Sequence, residues 1–155
     1  MTTSQSPQFD LEAAHTYFAA HCFNQAWDLI EKKDRSPEQD LLMVALNQAS
    51  IYHWSQRPDC TDQQRSVGYW QAARIQASLG NAAEARRYAE ICLSYSHRLE
   101  PFYLGYAYEA LARAAKLAGN EPEFREYLAA AAEKAKEISA KEERDLLESD
   151  LASIK

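Results

Sequence analysis

Glycine, proline and cysteine are all scarce in this 155-residue chain, at four, five and three residues. So little Gly and Pro, set mostly at the ends of apolar-periodic segments, argues against a disordered or loop-rich chain. Cys22, Cys60 and Cys92 are odd in number and include no Cys-x-x-Cys pair, which fits a reducing compartment. Cys22 and Cys92 fall within helical apolar patterns as small core residues, while Cys60 lies in a loop. No apolar run approaches the roughly 20 residues needed to cross a bilayer, and Met1 to Gln5 has neither the basic region nor the apolar core of a signal peptide. The expectation is a soluble, cytoplasmic protein with no membrane partner. Positive charge is in deficit, with 17 Lys and Arg against 23 Asp and Glu and a net charge of −6. A nucleic-acid surface needs clustered cations to displace counterions, and no such stripe occurs, so nucleic acid is excluded as a partner.

The phrases that carry chemistry are also missing. There is no Gly-rich phosphate loop, no Gly-x-Ser-x-Gly elbow and no His-Glu-x-x-His. One Glu-x-x-His occurs, Glu12 to His15, where a di-iron bundle needs two with further carboxylates. The sequence therefore predicts no catalytic residue, no metal and no cofactor, and an interaction protein rather than an enzyme.

What is present is a phrase used twice. Gly80-Asn81-Ala82-Ala83-Glu84-Ala85-Arg86-Arg87-Tyr88 and Gly119-Asn120-Glu121-Pro122-Glu123-Phe124-Arg125-Glu126-Tyr127 both read G-N-x-x-E-x-R-x-Y, 119 − 80 = 39 positions apart. Each follows one apolar-periodic segment and opens another, so each is a turn between helices. A repeated helix-turn-helix builds a stacked array, because a single unit cannot bury its own apolar face.

No segment alternates with the two-residue period of a strand, so the fold class is all-α with about seven helices. The first helix starts after Asp10, buries Leu11, Ala14, Phe18, Cys22, Ala26, Leu29 and Ile30, and ends near Lys33, with a bend expected at Phe23-Asn24. Ser36-Pro37-Glu38-Gln39 caps a second helix, which turns Leu41, Leu42, Ala45, Leu46, Ala49, Tyr52 and His53 to one side. Thr61-Asp62-Gln63-Gln64 opens a third, with Gly68, Ala72, Ile75 and Leu79 on a narrow seam that permits close helix approach. The fourth runs from about Ala82 to Ser96 over Ala85, Tyr88, Ala89, Cys92 and Leu93. The fifth runs from about Phe102 to Ala118 over Leu104, Tyr108, Leu111 and Ala115. The sixth starts at Pro122 and buries Phe124, Leu128 and Ala131 or Ala132. Ser139-Ala140-Lys141-Glu142 predicts a break before a seventh, charged capping helix. Residues 1–8 are expected to be disordered and 9–155 to form one domain, with two units over 67–135 and a cap over 140–154.

With the two turns aligned, both units resemble the tetratricopeptide repeat. Tyr69, Ala73, Gly80-Asn81, Ala85 and Cys92 stand at the motif positions of the first unit, and Tyr108, Leu111, Ala112, Gly119-Asn120 and Ala131 at those of the second. The spacing of 39 departs from the family's roughly 34, Phe124 replaces a small residue, and Gln76 an aromatic or apolar one. Phrases such as Tyr52-His53-Trp54 and Tyr106-Ala107-Tyr108-Glu109-Ala110-Leu111-Ala112-Arg113 are also similar to those of short bacterial proteins of this type, a likeness that implies no activity. The resemblance implies a right-handed stack of antiparallel helix pairs whose first helices line a concave, peptide-binding groove. Its lining positions fall on Val67, Trp70, Arg74 and Ala77, then on Tyr106, Glu109, Arg113 and Lys116. The helical wheel agrees independently for the first unit, placing Trp70 about 190° and Arg74 about 130° from the Gly68 seam.

Trp70 with Arg74 and Glu109 with Arg113 are spaced i,i+4 at equivalent positions. They read either as aromatic platforms with guanidinium groups for a carboxylate, an acidic peptide or a small anion, or as a local cation–π contact and an ion pair with no ligand. His53 falls on the apolar stripe of the second helix, and Trp54 shares a face with Asn47 and Ser50. His53 is either a hydrogen-bonded core histidine or, if it meets Arg74 or Glu109, an acid–base group. Tyr103 and Tyr106 are expected at the surface, in a binding or self-association face that would make a homodimer. The leading expectation is a non-catalytic module that binds a protein or peptide through Trp70, Arg74, Tyr106, Glu109 and Arg113. The alternative is a small-molecule or anion pocket, or a weak enzyme, built around His53, Trp54, Arg74 and Glu109.

Overall fold

The computed structural model describes Ser6 and residues 8–154. Among these residues the chain is all-helical, with no strand. Its helices are α1 (Leu11–Glu31), α2 (Pro37–Ser55), α3 (Asp62–Ser78), α4 (Ala82–Ser96), α5 (Pro101–Leu117), α6 (Glu121–Glu137) and α7 (Lys141–Ala152). Most of the expected disordered segment lies outside the described residues. Ser6 and Gln8, which do not, are non-helical and exposed.

Local chemistry sets the ends. The Asp10 carboxylate accepts from the Ala13 amide at 3.0 Å and starts α1. Ser36 and Gln39 satisfy each other's backbone amides at 3.2 and 3.0 Å, a complete capping box ahead of α2. At α3 the Gln64 side chain accepts from the Thr61 amide at 2.9 Å. Gly80 and Gly119 have φ of 80° and 73°, the left-handed conformation that ends a helix and that a Cβ would strain. The amides that follow close the two turns alike, Asn81 onto the Gln76 carbonyl at 2.9 Å and Asn120 onto that of Ala115 at 3.0 Å. The turn before α7 departs from expectation. Its N-cap is Ala140 rather than Ser139, with no side-chain cap, and the Arg144 guanidinium instead holds the Ile138 carbonyl at 3.0 Å.

Consecutive helices pack as pairs, α1 with α2, α3 with α4 and α5 with α6. Further contacts run α1 to α3, α3 to α5 and α5 to α7, and α4 is tied to α6 by the Arg86 guanidinium, which donates to Glu123 Oε2 at 2.7 Å. The odd-numbered helices therefore form a continuous row. The two central pairs pack alike: Tyr69 stacks on Tyr88 with ring centroids 6.2 Å apart, and Tyr108 on Tyr127, each 39 positions later, at 6.5 Å. Alanines at Ala73, Ala89 and Ala110, grouped around Leu111, let α3, α4 and α5 approach closely. At Gly68 an added Cβ would stand 3.1 Å from the Ile51 side chain, so the seam between α2 and α3 would have to open there by a few tenths of an ångström.

The first pair corrects the sequence reading. In α2 the buried face is Met43, Asn47 and Ser50, while Leu41, Leu42, Ala45 and Tyr52 are exposed. The burial of polar groups is offset by hydrogen bonds: Asn47 Nδ2 donates to the Gly68 carbonyl at 3.1 Å and to Gln71 at 3.0 Å, and the Ser50 hydroxyl donates to the Ala19 carbonyl at 2.7 Å. Polar side chains thus knit α2 to α1 and α3 beside a small apolar cluster of Ala26, Met43 and Ile75 on which Leu46 packs, while Leu42, Ala45 and Tyr52 face away. In α1, Ala19, Cys22 and Ala26 are buried, but Leu11 and Phe18 are exposed. The helix passes Phe23-Asn24 without interruption and ends at Glu31. Among the described residues no helix is long and apolar enough to cross a membrane.

Candidate binding site on the inner helices

Three of the predicted groove residues converge on the carboxylate of a fourth. Glu109, on α5, is 0% exposed. Trp70 Nε1 donates to its Oε2 at 3.1 Å and Arg74 Nη1 to its Oε1 at 3.2 Å, both from α3. Arg113, one turn further along α5, also grips Oε1. Trp70 and Arg74 lie 39 positions before Glu109 and Arg113, so the cluster consists of two equivalent pairs facing each other. Neither simple alternative describes it: Arg113 and Glu109 do form the local ion pair, but Trp70 and Arg74 both reach across to the next helix. Glu109 lines no cleft. It lies beneath the surface as the anion that holds Trp70, Arg74 and Arg113 in place.

Asp150 of α7 completes the arrangement. Its Oδ2 accepts from the Tyr106 hydroxyl at 2.7 Å and its Oδ1 lies 3.9 Å from Arg74 Nη2. Arg113 Nη2 donates to the Asp150 carbonyl at 3.1 Å and to the Ser153 hydroxyl at 2.8 Å. Tyr106 is only 8% exposed, a correction to the expectation that it stands at the surface. Burial, then the hydrogen bond to Asp150 and its charge, push the Tyr106 phenol well above its ordinary range, so it stays a neutral donor. Asp150 was not legible in the sequence, because its role depends on how α7 docks and not on any local pattern.

Two clefts flank this cluster. The first has a volume of about 290 Å³ and is bounded by Phe23, Asn24 and Trp27 of α1, Ser66, Val67 and Trp70 of α3, Phe102, Tyr103 and Tyr106 of α5, and Leu146 and Asp150 of α7. Its aromatic rings touch in series. Trp27 meets Trp70 at 5.6 Å, Trp70 meets Tyr106 edge-on at 5.3 Å, and Tyr106 meets Phe102 at 5.1 Å. Such faces and edges fit apolar or aromatic groups. The second cleft, about 490 Å³, is lined by Arg74, Ala77, Ser78, Arg113, Lys116, Leu117, Ser153 and Ile154. It carries three cations, of which Lys116 also lies 3.4 Å from Glu121. Val67, Trp70 and Tyr106 thus line one cleft, and Arg74, Ala77, Arg113 and Lys116 the other.

His53 and Trp54 lie elsewhere. His53 is half-buried, with Nδ1 2.8 Å from His15 Nδ1 and its ring 5.5 Å from Phe18. Burial first, then the neighbouring His15, hold its pKa below the ordinary histidine value. Trp54 carries the Arg57 guanidinium over its ring at 3.9 Å and borders a third depression with Ala20, Phe23 and Gln64. Among the described residues no group of three His, Cys, Asp or Glu side chains is gathered to hold a metal ion. No family model matches the chain, and no curated protein or solved structure matches it either.

Proposed function

We propose that the chain is a tetratricopeptide-like right-handed stack that binds a segment of a partner protein or peptide across its row of odd-numbered helices, without catalysis. The segment carries an apolar or aromatic anchor for the first cleft and, beside it, a carboxylate for the cations of the second. The observation that carries this reading is the pairing of an aromatic-lined cleft with a three-cation cleft on either side of Glu109. The Glu109 carboxylate fixes Trp70, Arg74 and Arg113 before any ligand arrives, and preorganisation of that kind lowers the cost of binding. The repeat reading is supported by the like turns at Gly80 and Gly119 and the like tyrosine stacks 39 positions apart. The alternative pocket of His53, Trp54, Arg74 and Glu109 lacks support of this kind, since His53 and Trp54 keep other partners.

The test is a displayed peptide library in which Phe, Leu or Trp is scanned against neighbouring Asp or Glu. Enriched peptides are then titrated by intrinsic fluorescence, because Trp27 and Trp70 both line the first cleft. Expected are peptides with an apolar anchor next to an acidic residue, whose affinity falls about tenfold or more in Val67→Asp and in Lys116→Glu while the circular dichroism of both variants is unchanged. Enrichment no better than a scrambled pool, or binding indifferent to both substitutions, would discard the groove.

A further inference from the structure

Of the nine large hydrophobic side chains that stand exposed among the described residues, seven belong to the first helix pair and the residues leading into it: Phe9, Leu11, Tyr17, Phe18, Leu41, Leu42 and Tyr52. Charge is missing from the same region. No Asp, Glu, Lys or Arg occurs from Ala13 to Trp27 or from Leu41 to Gln56, in a chain where these residues make up 26%. The paired helices α3 with α4 and α5 with α6 are each covered by a following helix, but the outer side of α1 and α2 has no neighbour among the described residues.

We infer that this uncharged face docks onto the same face of a second copy of the chain, forming a two-fold dimer. Three features favour a second copy over a foreign partner. Leu42, Ala45, Ala49 and Tyr52 recur at spacings of three, four and three, the pattern of a seam between helices, and all but the half-buried Ala49 are exposed. That stripe is symmetric about its own centre, since 42 + 52 and 45 + 49 give the same sum. Two α2 helices laid antiparallel therefore set Leu42 of each copy against Tyr52 of the other, with the small Ala45 and Ala49 meeting between them. An interface of this kind uses one patch twice and must be complementary to itself. A face without fixed charge has nothing to repel its own image, even though the whole chain carries −6.

Sedimentation equilibrium of the intact chain over a wide concentration range tests this. The expected result is a reversible dimer, whose Kd rises by about tenfold or more in Ala45→Glu with helicity unchanged and, at concentrations where both chains are monomeric, the same melting temperature, because Ala45 is exposed in the single chain. The arrangement itself is read by mixing Leu42→Cys and Tyr52→Cys chains under oxidation. Disulfide-linked pairs of one variant with the other should form faster than pairs of either with itself. A chain that stays monomeric throughout, or a dimer that Ala45→Glu leaves intact, would overturn the proposal. Dimerisation without preferential mixed cross-linking would overturn the antiparallel seam.

Discussion

Glu109 is the side chain on which most depends. An isolated carboxylate in a fully buried site is costly, and here two guanidinium groups and an indole N–H offset that cost. Glu109→Ala leaves Arg74 and Arg113 without the acceptor they share, so we expect a loss of about 3 kcal/mol or more in urea denaturation. Glu90→Ala, which removes an exposed partner of Arg86, should cost less than about 1 kcal/mol. Equal losses for the two would show that the cluster contributes no more than a surface pair. The His15–His53 contact gives a second residue-scale prediction. The two Nδ1 atoms, 2.8 Å apart, need one donor and one bare acceptor, so the doubly protonated pair cannot keep the contact. The pKa of His53 is lowered on folding, so His53 contributes stability above the unfolded histidine value of about 6.5, and that contribution is lost as pH falls through its folded value. The melting temperature of the native chain should therefore drop more between pH 7 and pH 5 than that of His53→Asn. Superimposable pH profiles would show that the pair is not linked to folding.

At the level of elements, the informative junction is where α7 meets α5. Gly105 is buried, and a Cβ there would stand 2.6 Å from Leu147 Cδ2 and 3.4 Å from Lys134 Cβ. Alanine can be absorbed by turning Leu147, but the branched side chain in Gly105→Val also presses on Lys134 and should cost about 1 to 3 kcal/mol. Hydrogen exchange should then quicken in α7 while α3 and α4 stay protected. Uniform quickening would mean that α7 is not a separable layer. This junction also marks what could be read in advance. The caps at Asp10, Ser36, Gly80 and Gly119, and the Gly68–Ala72–Ile75 seam, were legible because each depends on residues within a turn or two of one another. The buried side of α2 was not. An apolar stripe ordinarily marks the inside, and here Asn47 and Ser50 take that place by bonding to Gly68, Gln71 and Ala19, partners up to 31 positions distant in sequence.

For the whole molecule the candidate site was half legible. Equivalent positions in the two units brought Trp70, Arg74, Tyr106, Glu109 and Arg113 to one region, because a helical period and a repeat length carry that information. Which of them would face a ligand and which would be covered depended on α7, whose docking no local pattern encodes. Asp150 turned Tyr106 inward, and Glu109 became a foundation below the clefts. The charge-free stretches of the first pair, Ala13 to Trp27 and Leu41 to Gln56, contrast with the ion-paired later helices. Raising salt should therefore leave contact through the first pair intact while weakening capture of an acidic segment by Arg74, Arg113 and Lys116.

The seventh helix also closes both clefts. Leu146 and Asp150 wall one cleft, and Ser153 and Ile154 wall the other. Neither cleft is complete until α7 is seated. A chain cleaved ahead of α7 would lose one wall of each depression at a single cut.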